Sequence, residues 1–301
     1  MILAVAQQVA ILFILIAIGF LLGKVNILDD RGAKALSDIA LLLSTPCVII
    51  RSFERQVTAE ELTGLLIAFG ASFGVHLVGI IIGKVAFLHN TSRDNTLWLA
   101  VVLCNAGFMG LPLQEAILGD IGVFYGATYV VVFNLVLWSF GQRVMGGKMS
   151  PWRLLVNPGT IGLLLGLAVM FFCPNLPEIV AKPVDYLAAL NTPLPMLFIG
   201  YTLSKSNLGK AVRAPANWVS VVLRLLVVPA AAVGILYLSG VRGDLLVSMG
   251  IAVSAPVAAS VSMFASRYRQ DTEAAVSTTA LSTLLSLVTM PLVIALTRLI
   301  A

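Results

Sequence analysis

Two short stretches carry the residues best suited to chemistry, and neither holds a charge. One runs Asn105-Ala106-Gly107-Phe108-Met109-Gly110-Leu111-Pro112, the other Ser254-Ala255-Pro256-Val257-Ala258-Ala259-Ser260. Both sit inside apolar runs, and both oppose a continuous helix. Gly costs backbone entropy, and Pro removes an N–H and clashes with the preceding turn. A helix broken there frees N–H groups at the start of its outgoing half, where partial positive charge attracts anions. Asn105 and Ser254 add neutral hydrogen-bonding groups, while the small run from Ser254 to Ser260 lets two backbones approach closely. Asn105, Gly107, Gly110, Pro112, Ser254, Pro256 and Ser260 are therefore candidate binding residues. The arrangement suits a carboxylate without a buried Lys or Arg. Freed carbonyls on the incoming halves suit a cation instead, and the residues alone leave both open.

Other polar residues within apolar runs have a bland and a sharp reading. Glu115 follows Pro112 in the first turn of an outgoing half-helix, where the dipole favours an acid; the sharp reading is a proton or cation coupling site. Arg224 is costly at membrane depth. It snorkels to an interface, pairs with Asp38, or takes part in substrate binding or coupling. Asn134, like Ser282 and Thr283, needs partners when buried, and an aqueous cavity supplies them. His76 reads as a packed residue or a proton relay. Thr45 and Thr192 read as partners for carbonyls freed by Pro46 and Pro193. Cys47, Cys104 and Cys173 read as small hydrophobes. His76 and His89 make no zinc motif, and no Gly-Lys-Ser/Thr loop is present to bind ATP phosphates. No cofactor, metal or enzyme constellation is expected.

The elements that position these residues follow from composition. Hydrophobic residues make up 59% of the 301 and charged residues 11%, against roughly a quarter charged in soluble domains. Residues 1–23, 121–142, 245–266 and 274–297 contain no Asp, Glu, Lys, Arg or His. Each is long enough for a helix across a bilayer core, which takes about 20 residues. The first reads as a span and not as a signal peptide, since no basic residue precedes it. Helical spans are expected at about 3–23, 35–52, 62–88, 96–118, 121–142, 158–174, 184–203, 216–238, 245–266 and 275–298. The net charge of +5 lies scattered in short loops, which argues against a nucleic-acid partner.

Loop charge sets the expected orientation. With the N-terminus outside, the inner loops hold Lys24, Arg31, Lys34, Lys84, Arg93, Arg143, Lys148, Arg153, Lys205, Lys210, Arg213, Arg267 and Arg269. The outer side holds only Arg51, Arg55, Lys182, Arg242 and Arg298. Both termini are therefore expected outside, periplasmic for an inner cell membrane. Self-similarity appears at half the chain length. Leu43-Ser44-Thr45-Pro46 matches Leu190-Asn191-Thr192-Pro193, and the Asn105 and Ser254 stretches recur at nearly the same offset. Residues 1–142 and 158–301 form two five-span repeats, joined by a linker at 143–157 with Gly146, Gly147, Lys148 and Pro151. Five is odd, so the copies lie inverted, and interrupted helices in matching positions point to a transporter site.

At Asn105–Pro112 and in the C-terminal stretch Ala258–Pro291, the chain resembles the auxin efflux carrier family. The C-terminal part includes Ala265-Ser266-Arg267-Tyr268, Ser277-Thr278-Thr279, Ser282, Ser286 and Thr289-Met290-Pro291. The resemblance spans nearly the whole chain. It implies an all-α membrane protein of ten transmembrane helices in two inverted five-helix repeats, a fold like that of the bile acid/sodium symporters, with helices 4 and 9 broken and crossing. It implies a scaffold of helices 1, 2, 6 and 7, often a homodimer surface, and a moving domain of helices 3–5 and 8–10. It places Asn134 in a substrate cavity. Plant members carry Asn where Phe108 stands and a large central loop that is absent here, so the resemblance is to the bacterial permease branch. The implied activity is secondary transport of a small organic anion across the lipid bilayer. A sodium- or proton-coupled symporter or antiporter, and a membrane receptor that does not transport, are the alternatives.

Overall fold

The computed structural model describes residues 2–148 and 156–301. Pro151 and Arg153, part of the expected linker, lie outside them. Among the described residues every regular element is helical: α1 (Ile2–Lys24), α2 (Asp30–Phe53), α3 (Ala59–Ala86), α4 (Ser92–Val102), α5 (Leu111–Leu118, entered through a wide turn Ala106–Gly110), α6 (Asp120–Val144), α7 (Pro158–Phe172), α8 (Glu178–Ala189), α9 (Pro193–Lys205), α10 (Leu208–Arg213), α11 (Pro215–Leu238), α12 (Gly243–Ser254), α13 (Ala259–Arg267) and α14 (Thr272–Ile300). Six of these, α1, α2, α3, α6, α11 and α14, are long and apolar enough to cross a membrane; α7 and α12 are shorter apolar helices.

Local sequence sets the helix ends. Thr58 and Glu61 cap each other's backbone at the start of α3. Asn157 accepts from Thr160 N–H with Pro158 in the first turn of α7, and Asp271 caps α14 through Ala274 N–H at 2.8 Å. These side chains satisfy donors that a helix start leaves open. Three of the four wide, π-type turns among the described residues, Ala40–Ser44, Ala106–Gly110 and Leu223–Val227, end two residues before a proline (Pro46, Pro112 and Pro229), while the fourth, Leu137–Gly141, precedes none. A proline ring collides with the carbonyl four residues earlier and offers no N–H, and widening the preceding turn relieves both.

The two proline motifs therefore behave differently. α2 runs through Pro46, whereas the chain breaks between α8 and α9 ahead of Pro193. The motifs meet in space. Thr45 Oγ1 donates to Ala40 O at 2.9 Å and lies 3.0 Å from Asn191 Oδ1. At the start of α9 the Thr192 side chain makes no capping hydrogen bond.

Packing divides the helices into two blocks. α1 lies along α9, and α2 packs on α7, α8 and α9. In the other block α3 packs on α4 and α6, and α12 packs on α6, α11 and α14. The α1–α9 contact is a small-residue seam, where Gly permits backbone approach. A Cβ on Gly200 would overlap the Ile16 carbonyl oxygen, and one on Gly19 would lie 2.7 Å from Leu197 Cα. Large apolar side chains cover the outside: Leu42, Leu66, Val85, Phe172, Leu238 and Val288 are 62–86% exposed. Apolar exposure on this scale marks a surface built for a non-aqueous neighbour.

Gly200→Ala should overpack this seam by about 1–3 kcal/mol and lower the melting temperature of the detergent-purified protein. Gly70→Ala in α3, where the new Cβ meets nothing within 4 Å, should not lower it.

Candidate functional site

α4 stops at Val102, and Leu103 turns extended (φ −95°, ψ 110°) before Asn105 opens the next turn. α12 stops at Ser254, and Ala255 (φ −62°, ψ 147°) and Ala258 (φ −70°, ψ 138°) are extended. The two extended stretches lie antiparallel, with Cys104 opposite Val257. Asn105 N–H donates to Pro256 O at 2.7 Å, and Ala258 N–H donates to Leu103 O at 3.0 Å. Gly110 lets α5 sit close to α12: a Cβ there would be 3.6 Å from Ala252 Cα.

Breaking two helices leaves carbonyls on the incoming halves and N–H groups on the outgoing halves. The structure treats the two sets differently. Arg224 donates to Val101 O at 3.0 Å, to Val102 O at 3.4 Å and to Val253 O. Cys104 Sγ donates to Ala252 O at 3.2 Å. With Leu103 O and Pro256 O paired across the junction, these acceptors are taken. On the donor side, Ser282 Oγ accepts from Val257 N–H at 3.1 Å. The N–H groups of Ala106, Gly107, Phe108, Ala259 and Ser260 have no acceptor among the described residues.

A small, partly open cavity of about 20 Å³ adjoins these donors, lined by Asn105, Ala259, Thr279, Ala280 and Thr283 on one side, and by Phe198, Ile199, Thr202 and Leu203 of α9 with Ser206 just past its end on the other. It lies between the two packing blocks. The Asn105 carboxamide has no partner among the described residues and faces this space. Gly107 adjoins open space as well, since a Cβ there would meet nothing within 4 Å. The wall carries hydroxyls and an amide but no charged side chain.

A family model described as a membrane transport protein matches the chain twice, over residues 4–147 and 143–294. The chain belongs to this family. It is the family of the auxin efflux carriers, and the double match means that both halves carry its pattern as two repeats. Relatives run along most of the chain. An "Uncharacterized transporter" of Methanothermobacter thermautotrophicus is 28% identical over 95% of this chain and 96% of its own length. Another of the same description, from Methanocaldococcus jannaschii, is 25% identical over 78% and 80%. A Rhizobium meliloti protein named "Putative malonate transporter" is 24% identical over 92% and 91%. As a member of this transport family with several apolar helices, the chain is a multi-pass membrane protein.

The residues singled out from the sequence fall into three groups. Asn105 and Gly107 face the cavity or adjoin open space, and Ser260 begins the outgoing half-helix with its buried hydroxyl unpartnered. Gly110, Pro112, Pro256 and Ser282 build the junction, Ser282 by holding Val257 N–H and donating to Thr279 O at 3.0 Å. Ser254 and Asn134 lie away from the cavity. Ser254 Oγ donates to Ile251 O at 2.8 Å within its own helix. Asn134 donates to Val130 O at 2.8 Å and packs beside Gly159 of α7. Polar side chains often turn back on their own helix in this way, which a linear reading does not reveal. Phe198 and Thr202 of α9, and Ser206 just past its end, escaped the sequence reading. Their one signal is the i, i+4 spacing of Thr202 and Ser206 at the end of an apolar helix.

Arg224 neither snorkels nor pairs with Asp38: it is fully buried on backbone carbonyls. Glu115 forms an ion pair with Arg51 of α2, which links the two blocks at the end of the molecule opposite the Lys205 end of α9. His76 bonds Ser72 O at 2.7 Å and stacks on Tyr129.

Ser282→Ala strands the buried Val257 N–H and should destabilise the protein by about 1–3 kcal/mol, read as a lower melting temperature. Ser254→Ala removes only a bond within its own helix and should shift it little.

Proposed function

We propose that this chain is a secondary carrier of a small organic anion, a carboxylate, that works by alternating access. One observation carries the reading: at the junction the freed carbonyls are occupied while the freed N–H groups are open beside Asn105 and a cavity. A carboxylate accepts hydrogen bonds and benefits from helix N-termini. The name of the Rhizobium meliloti relative makes malonate the first probe to try.

On this reading the helices make ten spans of two inverted repeats in the cell membrane, with both termini outward. α4–α5 and α12–α13 are the broken helices crossing near the bilayer midplane. The α1, α2, α7, α8 and α9 block is the scaffold, with an apolar outer surface for a second copy, and the remaining helices form the moving domain. The cavity wall is shared between blocks, so movement of one against the other would open it alternately. The Arg51–Glu115 pair would have to part in each cycle.

In proteoliposomes, radiolabelled malonate should accumulate with wild type, and Asn105→Ala should cut the rate roughly tenfold or more, the effect of losing one hydrogen bond to a charged group, with expression and melting temperature unchanged. Wild-type flux in that variant would remove Asn105 from the site. In a Cys173→Ser background, Arg51→Cys with Glu115→Cys should transport until a bismaleimide joins the two cysteines, and then stop. Continued flux after complete cross-linking would rule out the block movement.

A further inference from the structure

Arg224 is a charge of unusual placement. It is fully buried and projects from the wide turn Leu223–Val227 of α11. No ion pair among the described residues involves it. Its partners are instead Val101 O and Val102 O at the C-terminal end of α4 and Val253 O at that of α12. One half-helix from each repeat thus presents carbonyl oxygens to a single cation. Each C-terminus carries a partial negative charge near half an electron, so two of them together offset about one positive charge. Converging carbonyls at the ends of interrupted helices are the arrangement by which carriers with such breaks hold a coupling cation.

We propose that Arg224 is a tethered substitute for a coupling cation: its guanidinium fills the seat that a monovalent metal ion would take between the incoming half-helices. This deepens the carrier reading above and rests on it for its functional meaning. A guanidinium does not give up its proton in proteins, and a side chain cannot dissociate. The seat therefore stays filled throughout the cycle, and neither Na+ nor a proton is exchanged there. The fixed charge holds the two breaks together from behind, while the open N–H groups face the anion.

The test uses the full-length protein in detergent at constant ionic strength, with choline, sodium or lithium chloride. Wild type should melt at the same temperature in all three, and malonate flux in proteoliposomes should be unchanged when choline replaces sodium on both sides. Arg224→Met keeps bulk but removes the charge. It should melt lower in choline and recover by a few degrees in sodium or in millimolar guanidinium, because a cation that binds only the folded form stabilises it. Arg224→Lys should fall between the two and show no response to sodium. A sodium-dependent rise in the wild-type melting temperature would overturn the assignment, as would an Arg224→Met protein as stable in choline as wild type. If Arg224→Met does not fold, the wild-type and Arg224→Lys responses decide. Absence of malonate flux with the melting responses as described would fault the carrier reading for malonate and leave the assignment of Arg224 standing.

Discussion

Where water is absent, every backbone donor and acceptor needs a partner within the protein or from a ligand. The junction of α4–α5 with α12–α13 is organised by that constraint. Its acceptors are consumed by Arg224, Cys104 and the short antiparallel pairing. Its donors are left over beside Asn105. The imbalance gives the junction its polarity, and it is the ground for the proposal that an acceptor-rich solute binds there. A neutral wall of Thr202, Ser206, Thr279 and Thr283 adds hydroxyls without fixing a further charge.

The same junction is tied into the rest of the molecule unevenly. Within its own block it is held by many contacts. Gln114 Nε2 donates to Ser248 O at 2.8 Å, Ser248 Oγ donates to Gly122 O at 2.9 Å, and Arg298 donates to Ile117 O at 3.2 Å. Towards the α1–α9 block the polar links are the partly exposed Arg51–Glu115 and Arg55–Glu61 pairs, and the rest of the interface is apolar packing, such as Phe53 against Phe124 at 4.6 Å between ring centroids, with the small cavity beside it. Exposed ion pairs hold little free energy. Specific polar bonds are therefore dense inside each block, whereas apolar packing joins one block to the other.

How much of this was legible in the sequence depended on whether the cause was local. Long charge-free runs give long apolar helices because each residue meets the same solvent, and α6 and α14 fall on two of those runs. The breaks at residues 103–105 and 255–258 sit beside Gly107, Gly110, Pro112 and Pro256, whose backbone chemistry is written in the residue itself. Pro46 shows the limit: the same residue type is absorbed by a wide turn, and only neighbouring packing decides between a break and a bulge. Arg224 stood out at once, yet its partners lie more than a hundred residues upstream and 29 downstream, and no periodicity announces backbone carbonyls as partners. Asn134 carries a local bond of its own: its amide donates four residues back, to Val130 O at 2.8 Å.

The placement of Arg224 also bears on how the polypeptide is built. α11 must enter the bilayer carrying a cation whose insertion costs about 2.5–3.5 kcal/mol at the helix centre. Synthesis runs from the N-terminus, so Val101 and Val102 are already in place when α11 emerges, while Val253 is not. The first repeat thus offers the incoming arginine two of its three ligands, and α12 supplies the last. A second repeat made alone would offer the arginine only Val253 O of these three carbonyl partners.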